Sequence, residues 1–448
     1  MSGYSRRRFL SHLLGGTAAA ASAPVLFSPH ELRALGPDGS RANLHFLLGE
    51  GARDQVSRED EAYWARVKDQ FPLAPGLILL NAANLCPSPY PVQDAVFRHT
   101  RDVDRDPSFQ NRGKFDELKE EARRVLASYA GASPEEIAIT RNTSEGNNSV
   151  VNGLDLGPGD EVVIWDQNHP TNNVAWDVRA RRWGFSVRRV STPPGAVTEG
   201  ALAAPFMEAL SPRTRVLAFS HVSNVSGVTL PARRLCVAAR ERGIFTLVDG
   251  AQSFGALKLD LGRMECDVFT ASSHKWFVGP KEAGLMYVKA GSQDRLWPSE
   301  VGVGWESARE GGARKFENMG QRDDAAVVTM ATTVAFHEAI GPEAVEERVR
   351  ALATRALEGL ERRLSGVAFH TPLRPELRAG VVVFHLPGTD HDDLHEALYR
   401  EKGVASAPMH GAFEGLRFSP HVYNTAAEVD EAVEAVVATV GNGTLAGS

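Results

Sequence analysis

Lys275 lies in Ala271-Ser272-Ser273-His274-Lys275-Trp276-Phe277-Val278-Gly279-Pro280, and 26 residues before it Asp249 stands in Val248-Asp249-Gly250-Ala251-Gln252. A lysine amine kept neutral is a nucleophile toward carbonyl carbon, and an acid at the end of an apolar strand lies where open α/β sheets bind ligands. Further upstream, Thr140-Arg141-Asn142-Thr143-Ser144-Glu145-Gly146 follows an apolar strand and opens a helical pattern. Backbone N–H groups at a helix N-terminus suit a dianion, and Thr143 and Ser144 add hydroxyl donors. Alone, that segment reads as a helix cap with a capping glutamate. Ahead of Asp249 and Lys275 it reads as a phosphate cup.

A lysine amine for a Schiff base, an acid that keeps a pyridine nitrogen protonated and donors for a phosphate are the three needs of pyridoxal 5′-phosphate (PLP) chemistry. The ordered pair of a strand-end Asp and a later Ser-x-His-Lys with its Gly-Pro turn is specific, where either half alone is weak. The chain after residue 75 resembles the fold-type I PLP enzymes of the class V aminotransferase family, in particular the isopenicillin N epimerase-like branch. The resemblance implies PLP as cofactor, with Lys275 as the Schiff-base lysine that shuttles the Cα proton and Asp249 as the partner of the pyridine nitrogen. It assigns Ser272 and His274 to the phosphate with Thr143 and Ser144, and Gln252 and Asn224 to the phenolic oxygen. His169, in Asp166-Gln167-Asn168-His169-Pro170, matches the family position whose ring stacks on the pyridine face. Arg417, in Leu416-Arg417-Phe418-Ser419-Pro420, becomes the anchor for a substrate α-carboxylate, which its fork can grip with two bonds. Asn84 and Ala83 are expected to line the same pocket, and Trp305 and Glu306 to approach the substrate. Family members place a Gly-Thr pair from a partner subunit on the phosphate; here Gly320-Gln321 offers Gln, whose amide can still donate, so a homodimer is expected.

These residues need a scaffold that brings distant segments together. Short apolar runs at 137–139, 161–164, 186–190, 216–219 and 245–248 alternate with helical patterns and Gly/Pro turns. That rhythm predicts a mainly parallel sheet covered on both faces, of the seven-stranded type that the fold-type I resemblance implies. A charged helix is expected around 112–130, a helical pattern over 327–365 with a break at Gly341-Pro342, and a strand at 381–385 in a smaller C-terminal α+β unit. The division is 57–90 as an N-terminal segment, 91–330 as the large PLP-binding domain and 331–448 as the small domain. Folded structure is expected from Ser57, as N-cap of an acidic first turn.

The amino terminus carries a different message. Ser5-Arg6-Arg7-Arg8-Phe9-Leu10, then a short Gly/Ala-rich apolar run and Ala21-Ser22-Ala23, has the form of a twin-arginine signal, with 1–30 as signal peptide and 31–56 as linker. Export to the periplasm or beyond is expected, through machinery that, by resemblance, carries proteins already folded around a cofactor. The net charge of -7 in 448 residues offers no basic field for nucleic acid, and no stretch of about 20 apolar residues predicts a stable membrane span. Three cysteines, Cys86, Cys236 and Cys266, suggest neither a disulfide framework nor a metal site. His391 and His395, four apart among Asp390, Asp392 and Asp393, read as an acidic helix start on the surface rather than a metal site, no further His being placed to finish one. Gly157-Pro158-Gly159-Asp160 is a turn.

The expected activity is chemistry at Cα of an amino acid or amino-acid-containing product, first of the aminotransferase class V type. Alternatives are an epimerase or racemase, for which His169 or Tyr423 could serve as second acid-base group, and a C–S lyase or siderophore side-chain modifying enzyme. Persulfide-based desulfuration is disfavoured because no cysteine follows Cys266. A catalytically silent PLP-binding homologue is the non-enzyme alternative, against which Asp249, Lys275 and Arg417 stand together.

Overall fold

The computed structural model describes residues 58–441; the signal, the linker and Ser57 lie outside the described residues. Seven strands form the main sheet: β2 (Ile137–Thr140), β3 (Glu161–Trp165), β4 (Ser186–Val190), β5 (Thr214–Ser220), β6 (Phe245–Asp249), β7 (Val268–Ser272) and β8 (Gly284–Val288), while β1 (Ile78–Leu79) lies elsewhere. Their order is β2-β8-β7-β6-β5-β3-β4. All run parallel except β8, which is antiparallel to β2 and β7. Burial on both faces explains why these strands read as unbroken apolar runs. Along β5, Leu217 and Phe219 enter one core while Val216 and Ala218 enter the other, the period of a pleated strand. Edge strand β4 carries the exposed Arg189, a charge that discourages further pairing.

Helices α1 (Glu61–Lys68), α2 (Tyr90–Arg105), α3 (Lys114–Ala130), α4 (Thr143–Gly153), α5 (Pro170–Trp183), α6 (Glu199–Ala209) and α7 (Ala232–Arg240) precede or cross over the sheet. The first is capped by Asp60, not Ser57. Helix α8 (Asp324–Ile340) packs on α2 and α3, and Gly341 at φ 96° separates it from α9 (Pro342–Arg363), the break the Gly-Pro pair implied. Two elements were not legible. Helix α2 opens with Pro89 as its N-cap and Pro91 in its first turn, where a proline's missing N–H costs nothing. Strand β8 follows a Gly-Pro turn closely, and its antiparallel return carries no crossover helix to announce it.

The C-terminal part builds an antiparallel sheet in the order β12-β13-β10-β9, from β9 (Ala368–Phe369), β10 (Val382–His385), β12 (Ala407–Met409) and β13 (Gly415–Phe418). It is covered by α9, α10 (His391–Lys402) and α11 (Ala426–Gly441), which share a core with it. Strand β1 pairs in parallel with β11 (Val404–Ala405), and an Asn81–Ser419 bridge continues the contact. The early Asn-rich turn is thereby laid beside β13, which carries Arg417 between Val383 and Ala407.

Gly250, directly after β6, is required by packing: a Cβ there would lie 1.8 Å from Cζ of the buried Phe269. Gly250→Ala is expected to destabilise the protein by about 1–3 kcal/mol through overpacking. Urea unfolding measures it, and an unchanged midpoint would contradict the close approach.

Candidate functional site

The carboxyl ends of β3, β5, β6 and β7 and the N-terminus of α4 share one edge of the sheet, the usual ligand edge in such folds. On α4, Asn142 is the cap and its side chain accepts from Glu145 N at 3.0 Å. Thr143 and Ser144 are therefore the first two helical residues, at the positive end of the helix. Ser272, last in β7, meets Thr143: its Oγ accepts from Thr143 N at 2.8 Å and lies 2.8 Å from Thr143 Oγ1. Thr143 and Ser272 thus meet, while Ser144, the next residue of α4, is exposed, and no hydrogen bond joins it to either of them among the described residues. His274 follows two residues later, its pKa lowered to about 4 by burial and by the cations of Lys275 and Lys281.

Asp249 ends β6 with 3% exposure. Its Oδ1 accepts from Ala251 N at 3.0 Å and its Oδ2 from Asn147 Nδ2 at 2.8 Å, and no cation pairs with it among the described residues. Lys275 makes no hydrogen bond or ion pair through its amine among the described residues. Burial pushes its pKa below the usual lysine range, Arg417 adds to this, and Asp249 and the Cys86 thiol oppose it. Arg417 is 6% exposed. It donates to Asn224 O and to Asn81 Oδ1, each at 3.0 Å, while its Nε is buried without a partner. No acid pairs with it among the described residues, and burial lowers its pKa to about 10.

His169 caps α5 and is partly open to solvent. Partial burial of its imidazole, with the charges of Lys275 and Arg417, lowers its pKa against the pull of Asp249. The four charge-bearing candidates therefore share one site. His169 Nδ1 accepts from Thr171 N at 3.3 Å, which leaves Nε2 to carry the proton of the neutral ring.

Other expected residues are placed differently. Gln252 is buried, with Nε2 donating to Ala83 O at 2.9 Å and Oε1 accepting from Trp276 Nε1 at 2.7 Å, so a single amide hydrogen remains for a ligand. Asn84 is exposed, and the asparagine of that turn that reaches Arg417 is Asn81, placed by the bridge to Ser419. Gln321 is exposed and tied to Arg112 at 2.7 Å; no hydrogen bond joins it to Thr143, Ser144 or Ser272 of its own chain. Glu306 is exposed and pairs with Arg309 at 3.3 Å. Tyr423 is fully buried, its hydroxyl 3.5 Å from Cys86 Sγ and its ring against Phe71 and His421, so it is core rather than a second acid-base group.

The surface reading of His391 is corrected. Its ring is 4% exposed and lies against His385, at the end of β10, with Glu414 alongside. His391 Nε2 accepts from Leu386 N at 3.1 Å, so a neutral ring carries its proton on Nδ1 and neither nitrogen has a free lone pair for an ion. His395 bonds Ser406 at 3.0 Å instead of joining them.

The residues fit PLP on their own chemistry. The buried Asp249, with no cation paired to it among the described residues, matches a protonated pyridine nitrogen, the Thr143 and Ser272 hydroxyls at the N-terminus of α4 match a phosphate, and the unpartnered Lys275 amine is acted on by the Asp249 charge. Asn147 and Asn81 were missed because an asparagine in a helix or turn reads as local capping.

The aminotransferase class-V family matches residues 98–432. An isopenicillin N epimerase from Amycolatopsis lactamdurans is 34% identical over 396 residues, covering 83% of this chain and 98% of that protein. One from Streptomyces clavuligerus is 31% identical over 398 residues, covering 85% and 99%. Among solved structures, a C-DES variant with glycine covalently linked to its PLP cofactor has a TM-score of 0.76 at 24% identity, covering 83% of this chain and 98% of that one. This last likeness shows the fold.

The lowered Lys275 pKa has a measurable consequence. In cofactor-free protein, the rate of acylation at Lys275, followed by peptide mapping across pH, should reach half its plateau below the pH seen for an unhindered lysine. Asp249→Asn, by removing the opposing charge, should move that midpoint lower still. A midpoint at or above the free-lysine value would overturn the assignment of burial as the dominant effect.

Proposed function

The chain belongs to the aminotransferase class-V family, and from that membership we propose that it binds PLP through Lys275 and moves the Cα proton of an amino acid or amino-acid-containing product. One observation carries the reading: a buried carboxylate without a cation and a buried guanidinium without an anion both act on one unpartnered lysine. When bound, PLP supplies the electron sink that stabilises negative charge at Cα. Asp249 would hold the proton on the pyridine nitrogen, and Thr143, Ser144, Ser272 and His274 would hold the phosphate. Arg417 grips the substrate carboxylate with the donors left over from Asn224 and Asn81, fixing Cα beside Lys275. Lys275 would be the base that takes the Cα proton at its Nζ and returns it. The neutral Nε2–H of His169 suits an orienting contact beside the ring.

Epimerisation at Cα is the first reading, supported by epimerases at 34% and 31% identity that align over 98% and 99% of their own length. Amino transfer is the second. It is favoured by the proton inventory, since Tyr423 is engaged in the core and His169 Nδ1 is occupied, which leaves Lys275 as the free base. We further propose that the protein is a homodimer, on the ground of apolar side chains left in solvent, among them Phe109 at 87% and Trp297 at 67% exposure. Export by the twin-arginine route is proposed from Ser5-Arg6-Arg7-Arg8-Phe9-Leu10.

Borohydride reduction of the PLP-loaded protein should leave a pyridoxyl label on Lys275; a wild-type protein without that label sinks the cofactor reading. Incubation with L- and D-amino acids and amine-bearing peptides in deuterated water should give Cα deuterium with the amine retained and the configuration scrambled. Conversion of the cofactor to its pyridoxamine form would instead establish amino transfer. Sedimentation should return twice the chain mass. A reporter fused to residues 1–30 should leave the cytoplasm only while Arg6 and Arg7 are intact.

A further inference from the structure

Asp249 is held by more than its backbone neighbour. Asn147 Nδ2 donates to Asp249 Oδ2 at 2.8 Å, and Thr270 Oγ1 donates to Asn147 Oδ1 at 2.6 Å. The three residues are 3%, 3% and 0% exposed, so water does not replace any of these bonds. The polarity of the chain has one solution. An ionised carboxylate only accepts, so Asn147 must turn its nitrogen to Asp249, and its oxygen then faces the one hydroxyl able to donate to it.

The placement is rigid. Asp249 and Thr270 are paired in register across β6 and β7. Helix α4 lies directly on them: a Cβ on Gly146, the residue before Asn147, would come within 2.8 Å of Thr270 Cγ2. The same helix presents Thr143 to Ser272, one turn earlier. A single rigid element thus reaches both the proposed phosphate cup and the carboxylate at the other end of the ring.

We propose that Asn147 is a positioning residue that, relayed from Thr270, orients the Asp249 carboxylate for the pyridine nitrogen of PLP. This rests on the PLP reading given above. Asn147 does not touch the reacting atoms; it acts through Asp249. Ala251 N occupies one oxygen and Asn147 the other, which leaves the remaining lone pairs in a fixed direction. Neighbouring hydrogen bonds in a dry site also reinforce one another.

The test compares Asn147→Leu with the double variant Asn147→Leu/Thr270→Val. The single change removes the donor and orphans the Thr270 hydroxyl, so it should lower both thermal stability and PLP affinity. The double change replaces both partners of the upper bond by apolar groups of similar shape and should recover stability. PLP affinity, measured by titration of the visible absorbance, should stay roughly ten- to a hundredfold weaker in both, the loss expected for one bond to a charged group. The absorbance of the bound cofactor should also differ from wild type in both. If the double variant regains wild-type affinity and spectrum together with stability, Asn147 is merely structural and the proposal is overturned. Wild-type affinity in the single variant overturns it as well, while borohydride labelling of wild-type Lys275 leaves the PLP reading standing. Absence of that label in wild type would remove both.

Discussion

Two charges of opposite sign are buried in this fold without a counter-ion, and the rest of the structure is arranged around that constraint. Asp249 has hydrogen bonds but no cation, and Arg417 has hydrogen bonds but no anion. An unpaired buried charge is costly, and natural chains keep one where a ligand completes the pair. Here the two charges do not pair with each other; both act on Lys275, one raising and one lowering its proton affinity. A pyridine nitrogen that carries a proton and a substrate that carries a carboxylate are the complements of this pair. The fold is therefore complementary to a cofactor–substrate combination rather than to either alone.

Holding such charges apart requires stiffness from elements distant in sequence. Asp249 stands at the end of a strand flanked by β5 and β7, and Lys275 follows β7 after three residues. Arg417 comes from a different sheet altogether. Its position is fixed by β10 and β12 on either side, and by the β1–β11 pairing that lays Asn81 against it. The proposed substrate anchor and the proposed cofactor anchor thus belong to separate sheets, linked by the Arg417 bonds to Asn81 and Asn224. Relative movement of the two sheets would change the distance between carboxylate grip and base, a quantity on which near-attack geometry depends steeply.

What was legible in the sequence follows from this division. Asp249, Lys275 and Arg417 could be found because few residue types perform their chemistry, and because they occur in a fixed order. The buried parallel strands were legible because both faces are apolar. The antiparallel β8, the sheet order and the β1–β11 pairing were not, since pairing is a long-range property that leaves no local pattern. Asn81 rather than Asn84 reaches Arg417 for the same reason: the two asparagines of the turn look alike until the partner strand is known. Asn147 was hidden by its own helix, where a polar residue beside Asn148 reads as surface. His391 was misread because its acidic neighbours are exposed while its own ring turns inward against His385.

The distribution of acid-base groups narrows the chemistry further. Sulfur transfer to the protein needs a thiolate that can leave the core, and all three cysteines are buried. Cys86 comes nearest the site, yet burial pushes its pKa up to about 12 despite the cations of Lys281 and Lys275. Burial likewise raises Cys236 and Cys266, so none is a nucleophile at neutral pH. The chain shares its family with enzymes that do different things to Cα. What distinguishes it is the set of groups able to exchange a proton at the proposed site: a lysine whose pKa is lowered by burial, and a histidine whose Nδ1 is already occupied. Under the proposed reading Lys275 would both take and return the Cα proton, and where it returns it would depend on how the substrate lies against Arg417.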